Sequence, residues 1–235
     1  MKRRPSILFL SNIPSPYVVG YLNELGRYCD VLAVFEKDAD RTRADSWKNG
    51  IQEAHRFQLK ILKGISISSK LYGDEMGYAP DDKAFAPAII KHISPKYDLI
   101  ISGNPCTPTG IFAILYMRLR RIPYAIQSEG GFPGSGKGAK EHFKHFLMKK
   151  AVLYFSTCKL DDQYFYKYGA TPERIRRYIS TSMFEKDIPK QPISPAEKEC
   201  LKRQLGIKSA ITILKVGRTE PVKGLDVILK AIHDI

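Results

Sequence analysis

Residues 216–228 read VGRTEPVKGLDVI, and this stretch decides how the rest of the chain is read. A short apolar run ends in Gly217-Arg218, passes through four residues that include Pro221, and resumes as Lys223-Gly224 before an apolar helix. Ligands of open parallel sheets sit beyond the carboxyl ends of the strands. Gly217 lets the backbone turn at such an end, and Arg218 would project from it. Lys223 stands close to the start of the following helix, where free N–H groups already favour anions. Two cations around one helix start suit a diphosphate, with Gly217 and Gly224 giving the backbone room. A solvated basic loop is the plain alternative.

Upstream, short apolar runs alternate with longer segments of helical period. The strands are expected over 6–12, 30–36, 57–62, 97–104, 123–131, 152–159 and 174–180. Helices are expected after Pro16, where apolar residues fall at 18, 19, 22 and 25, and over 84–93, 109–121, 140–151 and 160–169. Residues 64–81 are rich in Ser, Gly and Pro and read as a long loop. Alternating strands and helices, with strands apolar on both faces, predict an α/β protein with a doubly wound parallel sheet of Rossmann-like type. The segment 185–196 is polar, holds three prolines and reads as a linker. It separates a first domain (1–184) from the beginning of a second (197–235). Ser194, Pro195 and Glu197 have the spacing of a capped helix start. Residues 211–217 read as a new strand and 224–235 as a new helix. One strand and two helices cannot bury a core, so the second domain is expected to be truncated here.

The net charge of +14, from 38 Lys and Arg against 24 Asp and Glu, favours anionic partners without choosing among them. The apolar run after MKRR is shorter than the ~7–15 residues of a secretion signal, and no window approaches the ~18 of a spanning helix. Cys29, Cys106, Cys158 and Cys200 are too far apart for a metal-binding pattern or a compact disulfide framework, which fits a reducing cytoplasm. Cys29 and Cys158 lie in apolar runs, where buried thiols are expected.

The pattern G-R-x-x-x-x-K-G at 217–224, after the basic helix LKRQLGI (201–207) and a strand, resembles the opening of the carboxyl-terminal domain of glycosyltransferase family 4. Those are retaining enzymes of the GT-B fold. PKYDLIISGNP, RRIPYAIQSEGG and KYGATPERIRRY upstream share the family's layout. The resemblance implies two Rossmann-like domains, the first binding a glycan or lipid-linked acceptor, the second a nucleoside diphosphate sugar. It implies that Arg218 and Lys223 hold the donor diphosphate and stabilise the leaving group, so that no metal and no further cofactor is needed. It implies a cell-surface polysaccharide or glycolipid product and a cytoplasmic enzyme at the inner membrane face. The family's pair of glutamates that contact donor sugar and ribose would lie beyond residue 235, in a further ~120–150 residues, about one domain. The 235-residue chain alone is therefore expected to be inactive.

In the first domain the strand end QSEGG (127–131) carries Glu129 where the family often has a histidine near the reacting carbon. A carboxylate there accepts a hydrogen bond from a sugar hydroxyl or assists at the acceptor oxygen, which makes Glu129 the candidate catalytic residue. Gly130 and Gly131 follow it as a turn. The first loop, where the family has paired glycines beside the donor phosphate, reads Pro14-Ser15-Pro16 instead, which weakens any backbone phosphate contact there. Ser15, Tyr17 and Asn104 remain cleft candidates. Helix 140–151 sets Phe143, Phe146, Leu147 and Ala151 on one face, expected to pack on the core. Lys137, Lys140, Lys144, Lys149 and Lys150 surround it and suit anionic lipid headgroups. His142 and His145 have no third ligand spaced to join them. Nothing resembles a nucleic-acid-binding motif. The alternative from another class is a non-catalytic Rossmann-like module that binds a phosphorylated ligand or a polyanion.

Overall fold

The computed structural model describes residues 3–38, 51–67, 83–131, 133–134, 136–181, 183, 185–209, 211–217 and 223–233. These fall into two units, one ending at Thr181 and one beginning at Met183.

The first unit is built on a seven-stranded sheet. Its strands are β1 (Ser6–Ser11), β2 (Asp30–Phe35), β3 (Gln58–Ile61), β6 (Leu99–Ser102), β7 (Ala125–Gln127), β8 (Leu153–Ser156) and β9 (Ile175–Arg177). They lie in the order β3-β2-β1-β6-β7-β8-β9. Every pairing is parallel, with Ile7 opposite Val31 on one side and Leu99 on the other. Helices α1 (Pro16–Leu25), α2 (Pro108–Leu119), α3 (Ala139–Met148) and α4 (Lys159–Lys167) connect β1 to β2, β6 to β7, β7 to β8 and β8 to β9 in turn. This is the doubly wound, Rossmann-like α/β fold.

The side-chain alternation of β1 shows why its sequence is apolar throughout. Leu8 and Leu10 join Ile100, Ile126, Ala113, Ile114 and Met117 in one buried cluster. Ile7 and Phe9 join Leu22, Val31, Ala33 and Phe35 in another. Successive residues point to opposite faces, so a strand covered on both sides needs apolar residues at every position. Truncating Leu8, which is fully buried, to alanine would cost about 2–5 kcal/mol.

Several elements depart from expectation. The 64–81 loop begins with β4 (Ile65–Ile67), which pairs antiparallel with β5 (Lys83–Phe85); residues 68–82 lie outside the described residues. The helix expected over 84–93 is a 3-10 turn at Pro87–Lys91 preceded by β5. Proline disfavours helical backbone before it, and the buried Thr109 hydroxyl accepts from Ala86 N (3.0 Å) and donates to Ala84 O (2.8 Å). That holds Ala84–Ala86 extended.

Helix α3 buries Leu147 and Met148, but Phe143 and Phe146 are each 42% exposed, so half of the expected core face looks outward. Its last carbonyls are held from the sheet side. The buried phenol of Tyr124 donates to Leu147 O at 2.6 Å, and that of Tyr154 to Met148 O at 2.7 Å. These bonds satisfy groups that a helix end otherwise leaves open. Cys29, Cys106, Cys158 and Cys200 form no disulfide; Cys29 is half-buried and Cys158 exposed, where buried thiols were expected.

In the second unit, Ser194 caps α5 (Pro195–Gln204) with the full reciprocal box. Its hydroxyl accepts from Glu197 N, and its own N–H donates to Glu197 Oε2. Helix α6 spans Leu225–His233. The strand expected over 211–217 is not formed, and Ile211, Leu214 and Val216 are exposed. A strand exists only against a neighbour that takes its hydrogen bonds, and the described residues of this unit supply none.

Candidate functional site

In the strand order, β1 lies between β2 and β6. The chain leaves β1 toward β2 and leaves β6 toward β7, so the connections diverge at their carboxyl ends. Such a switch point opens a crevice. A cleft of about 450 Å³ lies there, lined by the ends of β1, β6 and β7 and by the starts of α1 and α2.

Asn104 ties the two central strands together. Its amide donates to Ser11 Oγ and to Asn12 Oδ1, both at 3.0 Å. The turn that allows this needs Gly110, because a Cβ there would lie 1.9 Å from Asn104 O. Thr107 caps α2 by accepting from Gly110 N at 3.0 Å, and its hydroxyl lies 2.5 Å from Glu36 Oε1. Glu36 follows the last residue of β2 and is 4% exposed. Burial pushes its carboxyl up to about 7, against the opposing pull of the Thr107 hydrogen bond.

On the β7 side, Glu129 is exposed in the cleft wall. Its Oε1 accepts from the Tyr178 phenol at 3.2 Å and from Ser180 Oγ at 3.1 Å. The phenol oxygen in turn accepts from Gln127 Nε2 at 2.9 Å. Burial, reinforced by the charge of Glu129, raises the Tyr178 phenol well above its ordinary value, so it stays a donor. Tyr21 packs against its ring with centroids 5.7 Å apart. The two glycines after Glu129 do different work. Gly130 has φ +80°, the left-handed region. Gly131 donates to Asp161 Oδ1 at 2.7 Å and passes so close to Tyr164 that a Cβ would sit 2.7 Å from its ring. Asp161 is fully buried and also accepts from Thr157 N and Thr157 Oγ1.

The cleft thus gathers Ser15, Tyr17, Asn104 and Glu129, with Gly130 and Gly131 as the turn beside it. Ser15 stands at the capping position of α1, yet its hydroxyl caps nothing and has no partner. Gly217 (φ +144°), Lys223 and Gly224 (φ +62°) belong to the second unit, where Lys223 is exposed two residues before α6. Arg218 lies outside the described residues. Sequence reasoning missed Gln127, Tyr178, Ser180 and Glu36. Gln127 shares strand parity with Glu129, and Tyr178 and Ser180 alternate along RIRRYIS, so period two was the available signal. Glu36 was legible as the one acid closing an apolar strand. Among the described residues no three His, Cys, Asp or Glu side chains stand together as metal ligands, and no helix is long and apolar enough to cross a membrane.

No protein-family model matches the chain, and no curated protein matches it. Solved structures do. The chain is similar to crystal structures of Anabaena Alr3699/HepE in complex with UDP (16% identity, TM-score 0.63), with UDP and glucose (18%, 0.60) and with UDP-glucose (16%, 0.61). In each case the match covers 97% of this chain and 57% of that one. At such identity the likeness shows the fold: the sheet and its helices have the Rossmann-like arrangement of the GT-B kind. The chain spans little more than half the length of the structures it matches.

Proposed function

We propose that this chain is the acceptor-binding domain (1–184), linker (185–196) and first part of the donor domain (197–235) of a retaining GT-B glycosyltransferase. The enzyme transfers a sugar from a nucleoside diphosphate sugar to a glycan or lipid-linked acceptor. The observation that carries this is the switch-point cleft, walled by a carboxylate that two hydroxyls hold in place. That the similar HepE structures contain UDP or UDP-glucose supports a uridine diphosphate sugar as donor. An acceptor hydroxyl enters the cleft and attacks the anomeric carbon from the side the diphosphate leaves, its proton passing to the departing diphosphate, while Glu129 accepts a hydrogen bond at the reacting sugar or the acceptor oxygen. Arg218 and Lys223 offset the charge that grows on the departing diphosphate.

The outer side of α3 supports a peripheral contact with an anionic membrane from the cytoplasmic side. Phe143 and Phe146 stack at 6.4 Å, the Arg118 guanidinium lies 4.0 Å over the Phe146 ring, and Lys140, Lys149 and Lys150 are exposed around them. Aromatic rings ringed by cations suit the headgroup layer. Sedimentation with phosphatidylglycerol vesicles, but not with phosphatidylcholine vesicles, is the expected result. Sedimentation with neither, or with both equally, would remove this part.

The test of the reaction uses the protein carried through its complete donor domain. A thermal-shift screen against UDP, GDP, ADP and their sugars should give one nucleotide that raises Tm, because ligand held by the folded state stabilises it by about 2.7 kcal/mol at a hundredfold excess over Kd. Turnover is then read as release of that nucleotide in the presence of acceptor. Binding without turnover would point instead to a non-catalytic module for phosphorylated ligands, and absence of both would overturn the reading.

A further inference from the structure

Gln127 closes β7 and is 5% exposed. The two ends of its amide are told apart by the network beside it. A carboxylate only accepts hydrogen bonds, so the phenol hydrogen of Tyr178 is given to Glu129. The phenol oxygen is left to accept, and what it accepts is the NH2 end of Gln127. Amide orientation follows from such a network, and here it turns the carbonyl end, Oε1, away from Tyr178. Oε1 is buried and has no partner. The hydroxyl of Ser15, a residue 1% exposed, is in the same condition. Both residues line the same cleft.

An unmet buried acceptor is a standing cost, and native structures keep few of them. Two such atoms on residues lining one cleft mark where a ligand brings what is missing. The chemistry of that ligand is constrained. Oε1 accepts and cannot donate, so the group that meets it must carry hydrogen: a hydroxyl or an N–H. A phosphate oxygen or a carboxylate placed there would meet like polarity. The hydroxyl of Ser15 both donates and accepts, so it suits a second oxygen of the same polyol.

We propose that Gln127 and Ser15 form a hydroxyl-reading subsite, in which Gln127 Oε1 accepts a hydrogen from a sugar hydroxyl of the acceptor and Ser15 Oγ binds a neighbouring one. The relay through Tyr178 and Glu129 couples this subsite to the carboxylate, so specificity and reaction share one chain of hydrogen bonds. The word acceptor rests on the transferase reading; the polarity of the subsite does not.

The test uses the ¹⁵N-labelled 235-residue chain, with methyl α-glucoside, methyl α-galactoside and methyl α-rhamnoside as probes and inorganic phosphate as the anionic control. At least one glycoside should shift the side-chain NH2 signals of Gln127 saturably, and phosphate should not. Gln127→Met, which keeps length and removes both ends of the amide, should weaken that glycoside about tenfold as read at backbone amide signals of the cleft, the loss of one hydrogen bond to the ligand. Ser15→Ala should weaken it severalfold, and because it removes an unpaired buried hydroxyl, loss of folding does not explain the result. The proposal fails if no glycoside moves the Gln127 signals, if phosphate moves them equally, or if both variants bind as the parent does. Failure of the transferase reading would look different: glycosides would still bind, but the complete enzyme would release no nucleotide.

Discussion

Glu36 and Thr107 share a hydrogen across 2.5 Å at the start of α2. The threonine hydroxyl has one hydrogen, yet two acceptors stand beside it, Glu36 Oε1 and Asn104 O at 3.1 Å. A proton on Glu36 resolves the competition, because Glu36 then donates and Thr107 serves Asn104. Burial raises the carboxyl to about 7 from 4.5. Between those values the folded chain holds a proton that the unfolded chain releases, so stability falls as pH rises through that window and is flat above it. Glu36→Gln keeps the shape and removes the titration. Urea unfolding should show it more stable than the parent by as much as ~3 kcal/mol at slightly alkaline pH, with the advantage gone near pH ~4. Parallel pH profiles for the two proteins would refute this.

Ser15→Ala should raise stability. A capping serine ordinarily contributes about 1 kcal/mol through its side-chain bond, but this one makes none. Removing its unpartnered, buried hydroxyl relieves a desolvation cost of about 1 kcal/mol. For a chain of this size that is a rise of about 2–4 °C in Tm. A fall in Tm would mean that the hydroxyl has a partner after all.

The glycine pair after Glu129 should separate cleanly. At Gly131 an added methyl meets the Tyr164 ring at 2.7 Å and Asp161 Oδ1 at 2.9 Å, so Gly131→Ala should cost about 1–3 kcal/mol. At Gly130 nothing lies within 4 Å, and the cost comes from φ +80° alone, about 1–2 kcal/mol. Restoring space by Tyr164→Leu should rescue the first variant in thermal melts and leave the second unchanged. Rescue of both, or of neither, would contradict the distinction.

In the proposed transferase, carried through its complete donor domain, Lys223→Ala and Arg218→Ala should each lower kcat by about 10²–10³, the usual loss when one charge-stabilising group is removed. KM for the acceptor should hold, because the acceptor site proposed above lies in the first unit's cleft. A variant that changes only acceptor KM would place that side chain elsewhere in the reaction.

The sheet was legible because burial on both faces writes continuous apolar runs into the sequence, as ILFL at 7–10 shows. The capping box at Ser194 and Glu197 was legible because it is local. What needed a distant partner was not. Pro87 and the hydroxyl of Thr109, far apart in sequence, together convert an apparent helix into strand and turn. The apolar run at 211–217 has strand composition, but composition does not supply the neighbour a strand needs. At the site, Glu129, Ser15, Tyr17 and Asn104 could be named from strand ends. The relay through Gln127 and Tyr178 joins residues 51 apart in sequence, a pairing that only the register of β7, β8 and β9 creates.

The phenols of Tyr124 and Tyr154 grip the last carbonyls of α3 from within the core. Tyr154 belongs to β8, and Tyr124 precedes β7 by one residue. Two hydrogen bonds therefore tie the carboxyl end of α3 to the sheet at β7 and β8. Losing either phenol would leave a carbonyl at the end of α3 without its donor, at a cost of about 1–3 kcal/mol.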